Sequence, residues 1–439
     1  MNEPIRVSQR HPSHWEYNGE PVTLLGGSVE DNLFQIPDLA EHLDTLVACG
    51  GNYVRCTMSS RDEGNVWPFE RNVSGLYDLD RPGKEYWRRF RNFLELTSQR
   101  DVVVQLEVWA TFDFYRAPWQ DNPFNPAYNV NYSADQSGLR EEVASHPVHH
   151  ENPFFYTVPR AENNDLVLGY QRQFVDQLLA ISLEFGNVLY CMDNETNVTP
   201  YWPWYWAEYI RDKAEAAGKH VEMTEMWDAH DLNHQTHRYT WEHPDLFSFV
   251  DVSQNNHQTG QQHWDSMQAF RRQLVAPVRP LNNVKVYGAD GGRHGDTRDG
   301  IERFWRNVMG KMASARFHRP PSGLGLSELA QTHIHSARKL LRSIDEFRAE
   351  PHNELVYTRR ENHAYCLGRP GSELAILFIQ DEPLDVDTSE MEGEMHVRWL
   401  DIDSGKWASP RRERATDMLH LIPPFAGRQA AVIKNIPRL

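Results

Sequence analysis

Apolar positions along the first three quarters of the chain alternate between two periods. Val22 to Ser28 (VTLLGGS) is a short continuous apolar run, as a strand buried on both faces requires. Pro37 to Cys49 then sets Leu39, Leu43, Leu46 and Val47 at helical spacing, with a proline at the start and Gly50-Gly51 beyond the end. The same alternation predicts strands at Asn52 to Met58, Val102 to Trp109, Asn187 to Asp193, His220 to Met226, Phe247 to Ser253, Val284 to Ala289 and Ala313 to Phe317. Helices are predicted between them at Lys84 to Gln99, Leu166 to Phe185, Trp204 to Ala217, Gln261 to Val275 and Arg298 to Met312, and a last one around Ile334 to Phe347. Eight strand candidates, each followed by a helix or by room for one, predict an α/β chain folded as a (β/α)8 TIM barrel.

After Pro351 helical periodicity stops. ELVYTRRE, HAYCLGR, ELAILFIQ, MHVRWLDI and QAAVIKNI are short alternating or apolar runs between turn signals, and they predict an all-β sandwich. The chain therefore divides into a barrel over 1–350 and a β-sandwich over 351–439. One stretch, 110–164, is too long for an ordinary loop and too aromatic for disorder. It follows the third strand, on the barrel face where substrates bind.

Composition narrows the partners. The 439 residues carry 45 Lys and Arg against 62 Asp and Glu, a formal net charge of −17. That field disfavours nucleic acid and anionic membrane surfaces as partners and favours a neutral substrate. No apolar run approaches the roughly 18 residues of a membrane span. Cys49, Cys56, Cys191 and Cys366 lack metal-ligand spacing and read as buried free thiols. The N-terminus shows no charged-then-apolar leader, and the sequons at Asn194 and Asn197 fall in the segment argued below to be catalytic, where a glycan would block a pocket; a bacterial source is expected, its compartment left open.

The strongest chemical signal is MDNETNVTPYWPWYWAEYIR, in which the fourth strand ends in Asn194-Glu195 and an aromatic segment leads into a helix. Glycosidic hydrolysis needs an acid to protonate the leaving oxygen, and an adjacent amide can hold a sugar hydroxyl. Glu195 is accordingly expected as general acid/base with a pKa raised toward neutrality, and Asn194 as a hydroxyl-binding amide; a solvated glutamate at a helix start is the plainer alternative. Trp109, Trp202 and Trp227, at or just beyond strand ends, are expected to stack on sugar faces. The second carboxylate is expected after the seventh strand, where VKVYGADGGRHGD offers Asp290 as nucleophile of a retaining mechanism, about 5 Å from Glu195, or, if its shorter side chain widens the gap enough to admit a water, as base of an inverting one. A turn aspartate in a glycine-rich loop explains Asp290 equally well, and Glu225 and Asp228 are the fallback partners. Arg55 would hold a nucleophile ionised, Glu30 and Asp31 lie at the rim after the first strand, and His257 faces the cleft after the sixth. No H-x-H follows the first strand and no H-E-x-x-H occurs, so no metal and no cofactor is expected.

With Asn194-Glu195, the opening HPSHWEYNGEPVTLLGGS and the closing VRWLDIDSGKW in view, the chain resembles bacterial barrel proteins of the apiosidase-like group of clan-A glycoside hydrolases. Their C-terminal β-sandwich, of the type labelled collagen-binding, carries a phrase like Trp399, Asp401 and Gly405. The resemblance implies Asn194 and Glu195 as amide and acid/base, Arg55 as the strand-two arginine, and a carboxylate nucleophile after strand seven, where this chain has Asp290 in place of glutamate. It implies a glycosidase acting on plant or algal saccharides. A carbohydrate-binding barrel that has lost one carboxylate is the non-enzymatic alternative.

Overall fold

The computed structural model describes residues 3–436. Strands and helices alternate through β1 (Leu24–Gly27), α1 (Leu39–Ala48), β2 (Tyr53–Thr57), α2 (Lys84–Ser98), β3 (Val103–Trp109), α3 (Asp165–Ser182), β4 (Val188–Thr196), α4 (Tyr201–Ala216), β5 (Glu222–Trp227), α5 (Gln235–Trp241), β6 (Val250–Asp251), α6 (Gly260–Gln273), β7 (Leu281–Asn282), α7 (Thr297–Met309), β8 (Ser314–Phe317) and α8 (Glu328–Leu341). Strands β5, β4, β3, β2, β1 and β8 pair in that order as a curled parallel sheet, and β6 with β7 forms a separate parallel pair. Hydrogen bonds run from this pair toward both edges of the sheet: Phe249 N donates to Met223 O at 3.5 Å beside β5, and Ala313 N to Leu281 O at 2.9 Å beside β8.

The sheet's strands read as unbroken apolar runs because both faces are covered. Leu24, Tyr53, Val103, Leu189, Met226, Phe249, Val284 and Ala313, one from each strand segment or its flank, form one buried cluster, most of them at the N-terminal ends of their strands. Ile5, Trp15 and Tyr17, from or beside a small antiparallel sheet that precedes β1, join them. Trp15 is fully buried, and its indole donates to Asn282 Oδ1 at 2.9 Å. A polar layer lies next: Tyr53 Oη donates to Gln105 Oε1 at 2.6 Å and Gln105 Nε2 to Asp251 Oδ2 at 2.9 Å. With the N-terminal end filled, the C-terminal strand ends are left to present charge to solvent.

Two expected strands are paired over less of their length than the sequence suggests. The sixth keeps only Val250–Asp251; the seventh, expected over Val284 to Ala289, pairs earlier, at Leu281–Asn282, and within the expected run makes one bridge, Val286 to Phe317. Side chains substitute for the ladder there: Val284 N donates to Ser253 Oγ at 2.8 Å, and the Arg316 guanidinium to Val284 O at 2.7 Å. Helix α8 starts earlier than the apolar spacing indicates, because Ser327 Oγ caps it by accepting from Ala330 N at 3.3 Å. The aromatic stretch after β3 is packed: Phe114 stacks on Phe154 at 4.1 Å, and the Trp119 indole donates to Arg140 O at 2.8 Å. All four cysteines are buried and free, as the sequence indicates.

Beyond α8 the chain forms antiparallel sheets. Strands β9 (Glu350–Pro351), β10 (Ala364–Arg369), β11 (Glu373–Phe378), β12 (Leu384–Asp387), β13 (Glu394–Asp401), β14 (Lys406–Trp407), β15 (Arg411–Arg414), β16 (Met418–Leu421) and β17 (Gln429–Asn435) include a sheet ordered β9-β10-β11-β17-β13-β14, with β15 also on β13 and β12 paired to β16. Its central strands alternate faces with period two. Leu374, Ile376, Ala431 and Ile433 face a cluster shared with Leu384 and Leu421 of the smaller sheet. Ala375, Leu377, Ala430 and Val432 face the core that also holds the helices around the parallel sheet. A chain ending near Pro351 uncovers that second face. It is expected to be largely insoluble, or soluble with a sharply lowered melting temperature, when expressed beside the full chain.

Candidate active site

The β4 end carries a local break that assembles the site. Pairing of β4 with β5 runs Thr224 to Cys191, then Met226 to Asn194 and Trp227 to Thr196, so the register slips around Glu195. Glu195 also has φ of +67°, a left-handed conformation that a non-glycine residue adopts at a cost. Neighbouring side chains of a regular strand point to opposite faces. Here Asn194 Oδ1 and Glu195 Oε1 both accept from Lys285 Nζ, each at 2.5 Å, because the bulge turns Glu195 to the side of Asn194.

Glu195 Oε1 also accepts from Gln254 Nε2 at 3.0 Å and from Tyr287 Oη at 3.3 Å. Burial alone would raise its carboxyl, but the Lys285 ammonium and these hydrogen bonds hold it down to about 2. The raised pKa expected from the sequence is thus reversed: a cation contacts the carboxylate directly. Lys285 and Tyr287, two residues apart past β7, are the inward positions of VKVYGAD. They line the candidate site and contact Glu195, and sequence reasoning missed them, although a lysine in an apolar strand is a legible signal.

Asp290 does not face Glu195. It is exposed, its Oδ1 accepts from Thr297 N at 3.0 Å, and its own N donates to Thr297 Oγ1 at 3.1 Å, so it is tied to the start of α7. Gly288, at φ +118°, makes this turn; a Cβ there would lie 2.4 Å from Gly300 N, so the chain runs close against α7 and leaves the rim. Strand seven therefore delivers an ammonium where a carboxylate was expected.

A cavity of about 400 Å³ opens over the strand ends, lined by Asp31, Arg55, Arg61, Asn194, Glu195, Lys285, Tyr287, His318 and Arg319, with Phe112, Tyr115 to Pro118, Arg293 and Pro320 to Ser322 at its sides. Arg55 is fully buried between Asp31 and Glu107, at 2.5 and 2.6 Å, and its Nη2 has no hydrogen-bond partner in the protein. Burial works against ionisation of Asp31, yet Arg55, His318, Arg319 and Arg61 around it hold its carboxyl well below the usual range. Glu30 stands at the rim, 2.7 Å from Arg319.

The tryptophans expected to stack on sugar lie elsewhere. Trp109 and Trp202 are buried 5.6 Å apart in an aromatic core with Trp206 and Phe154, and Trp227 is buried with its indole bonded to Thr240 Oγ1 at 2.8 Å. They sit between sheet and helices, where large aromatic rings fill the most volume; the aromatic rings that line the cavity are Phe112, Tyr115 and Tyr287. His257 lies behind Tyr287, 5.1 Å away, and stacks on His230 at 3.5 Å; burial and its histidine neighbours push it down to about 3, so it is neutral.

Of the fallback acids, Glu225 is buried under β4, bonded to Thr196 Oγ1 and accepting from Asp193 N at 3.2 Å, and burial pushes its carboxyl well up. Asp228 is half-buried beside the site, accepting from Asn197 Nδ2 at 2.7 Å; burial, then the Glu195 charge, raise it. Among the described residues no group of three His, Cys, Asp or Glu is arranged to hold a metal ion, and no helix is long and apolar enough to cross a membrane.

The fold is matched in solved structures. A glycoside hydrolase family 5 protein from Bacteroides vulgatus superposes with a TM-score of 0.65 at 13% identity, over 98% of this chain and 93% of its own. The chain has the fold of family 5 glycoside hydrolases. A family 5 mannosidase from Rhizomucor miehei matches with a TM-score of 0.52 at 9% identity, over 76% of this chain and 96% of its own. A maltogenic α-amylase from Thermotoga neapolitana also reaches 0.52, at 9% identity over 94% and 98%. No family model and no curated protein matches the sequence.

Proposed function

We propose that the chain is a glycoside hydrolase that cleaves a glycosidic bond in a plant or algal oligo- or polysaccharide by a two-carboxylate, retaining mechanism. The observation that carries this reading is the bulge at Glu195, which sets an amide and an ionised carboxylate side by side in a cavity of about 400 Å³. The reading includes closure of the parallel strands into a full (β/α)8 barrel over 1–350, supported by the cluster that takes a residue from each strand segment. It also takes 351–439 as a β-sandwich packed on that barrel.

The charge states favour an assignment in which Glu195 attacks and another acid donates. Held ionised by Lys285, Glu195 is poorly suited to give a proton at neutral pH and well suited to bond to the anomeric carbon. Asp228, raised by burial and by Glu195, is the neighbouring acid that keeps its proton more readily. Asn194 would hold the adjacent hydroxyl. The test is a screen of aryl glycosides and oligosaccharides with the product anomer recorded, followed by Asp228→Asn. Turnover of substrates with poor leaving groups is expected to fall about 100-fold, and that of activated aryl glycosides by much less. Equal losses for both classes would take the donor role from Asp228.

A second reading is favoured by one specific feature. Asp31 and Glu195, the two carboxylates lining the cavity, are both ion-paired, which suits a saccharide-binding protein without turnover. Saturable binding with no product from any bound sugar would establish it.

A further inference from the structure

The side chains that line the cavity are mostly cationic, although the molecule as a whole is acidic. Although the chain carries −17, the cavity is lined by Arg55, Arg61, Arg116, Lys285, Arg293 and Arg319 against the carboxylates of Asp31 and Glu195. From behind, four further carboxylates pair with the inner arginines and match that excess in number: Glu107 lies 2.6 Å from Arg55, Asp113 3.5 Å from Arg61, and Glu30 and Asp62 2.7 and 3.4 Å from Arg319. Arg116 and Arg293 have no ion-pair partner among the described residues. Both are exposed at the cavity's mouth. Arg116, on the long segment after β3, has φ of +53°, its Nε donates to Ala144 O at 3.1 Å, and its guanidinium lies 5.3 Å from the Tyr115 ring centre. Arg293, in the loop after β7, is hydrogen-bonded through Nε to His294 Nε2 at 2.9 Å. Both line the same cavity as Tyr115, Arg61 and Glu195.

We propose that the saccharide bound here is anionic, carrying a carboxylate or sulfate ester that Arg116 and Arg293 receive at the mouth of the cleft. This rests on the reading of the cavity as a saccharide site, and it replaces the neutral substrate that net charge alone suggests. A sum over the whole surface says little about a concave site, where low-dielectric walls focus the field of the nearest charges. Arginine suits the task because its planar fork matches carboxylate and sulfate oxygens and stays charged throughout. The terminal nitrogens of both guanidiniums remain available, because the backbone and histidine bonds occupy only Nε.

The test measures binding and hydrolysis by the full chain for three sets of oligosaccharides of matched length: uronic-acid oligomers, sulfated galactan oligomers, and neutral mannan and cellulose oligomers. Preferential binding of one acidic set is expected, weakening as salt is raised. Which acidic set binds identifies carboxylate or sulfate. Arg116→Gln and Arg293→Gln should each lower that affinity about tenfold, with melting temperature unchanged. If neutral oligomers are bound or cut in preference, or the two variants bind the acidic set as well as the parent chain does, the inference fails while the glycosidase reading stands. If acidic oligomers bind through the two arginines but are never cut, the inference holds and the glycosidase reading fails. Binding of none of the three sets overturns the inference.

Discussion

Replacing Glu195 with glutamine is expected to lower kcat/KM by about 1,000-fold while leaving saccharide affinity within about tenfold. The amide keeps the size of the side chain and its acceptor toward Lys285, Gln254 and Tyr287, but it can neither attack an anomeric carbon nor exchange a proton. The variant leaves the Lys285 ammonium buried without its counter-charge, so unfolding must be followed in parallel to separate lost chemistry from lost fold. Azide added to Glu195→Ala distinguishes the roles. If Glu195 attacks, azide takes its place on an activated aryl glycoside and the glycosyl azide has the anomer opposite to the substrate. A glycosyl azide of the substrate's own anomer would return Glu195 to the acid/base role. Unchanged turnover in Glu195→Gln would remove it from the reaction altogether.

The alternation of strand and helix was legible because each strand is buried on both faces, so its apolar residues form a run rather than a pattern that solvent could blur. The limits of that signal are visible at β6 and β7. Their apolar runs, FSFVDVS and VKVYGA, exceed the paired backbone, since Ser253 and Arg316 side chains satisfy the groups that a longer ladder would use. Burial is written in the run; the identity of the hydrogen-bond partner is not.

The site was legible at Asn194-Glu195 and hidden across from it. A dipeptide at a strand end can be read from position, but the bulge that brings both side chains to one face depends on the register with β5. Position along the strand puts Asp290 at the rim, but position does not encode that Gly288 turns the chain onto α7. Trp109, Trp202 and Trp227 are ambiguous in the sequence because aromatic residues near strand ends serve either a cleft or a core, and only packing distinguishes the two. Charge misled in a similar way, because the cations at the cleft come from the ends of β2 and β8 and from three separate loops.

Lys285→Met is expected to invert the pH dependence that Glu195 gives the fold. In the parent chain the Glu195 carboxyl falls from 4.5 to about 2 on folding, because the charge and hydrogen bond of Lys285, with the Gln254 hydrogen bond and the Arg55 charge, together outweigh burial. A depressed carboxyl stabilises the native state fully above about pH 4.5 and loses that contribution as pH falls toward 2. Without the ammonium, burial dominates, and the carboxyl rises above its unfolded value. The native state then binds the extra proton, so this contribution to stability falls as pH rises through the new, higher pKa. The gap in denaturant stability between parent and variant should therefore be small in strong acid and widen steadily toward neutrality. Activity should move with it: the acid limb of kcat/KM, which in the parent chain lies below the accessible range, should appear above pH 4.5 in Lys285→Met. Lys285→Arg, which restores a cation with a different shape, should pull that limb back toward acid. A stability gap that does not change with pH would mean that Lys285 acts by filling space, and the ionised state of Glu195 would need another cause.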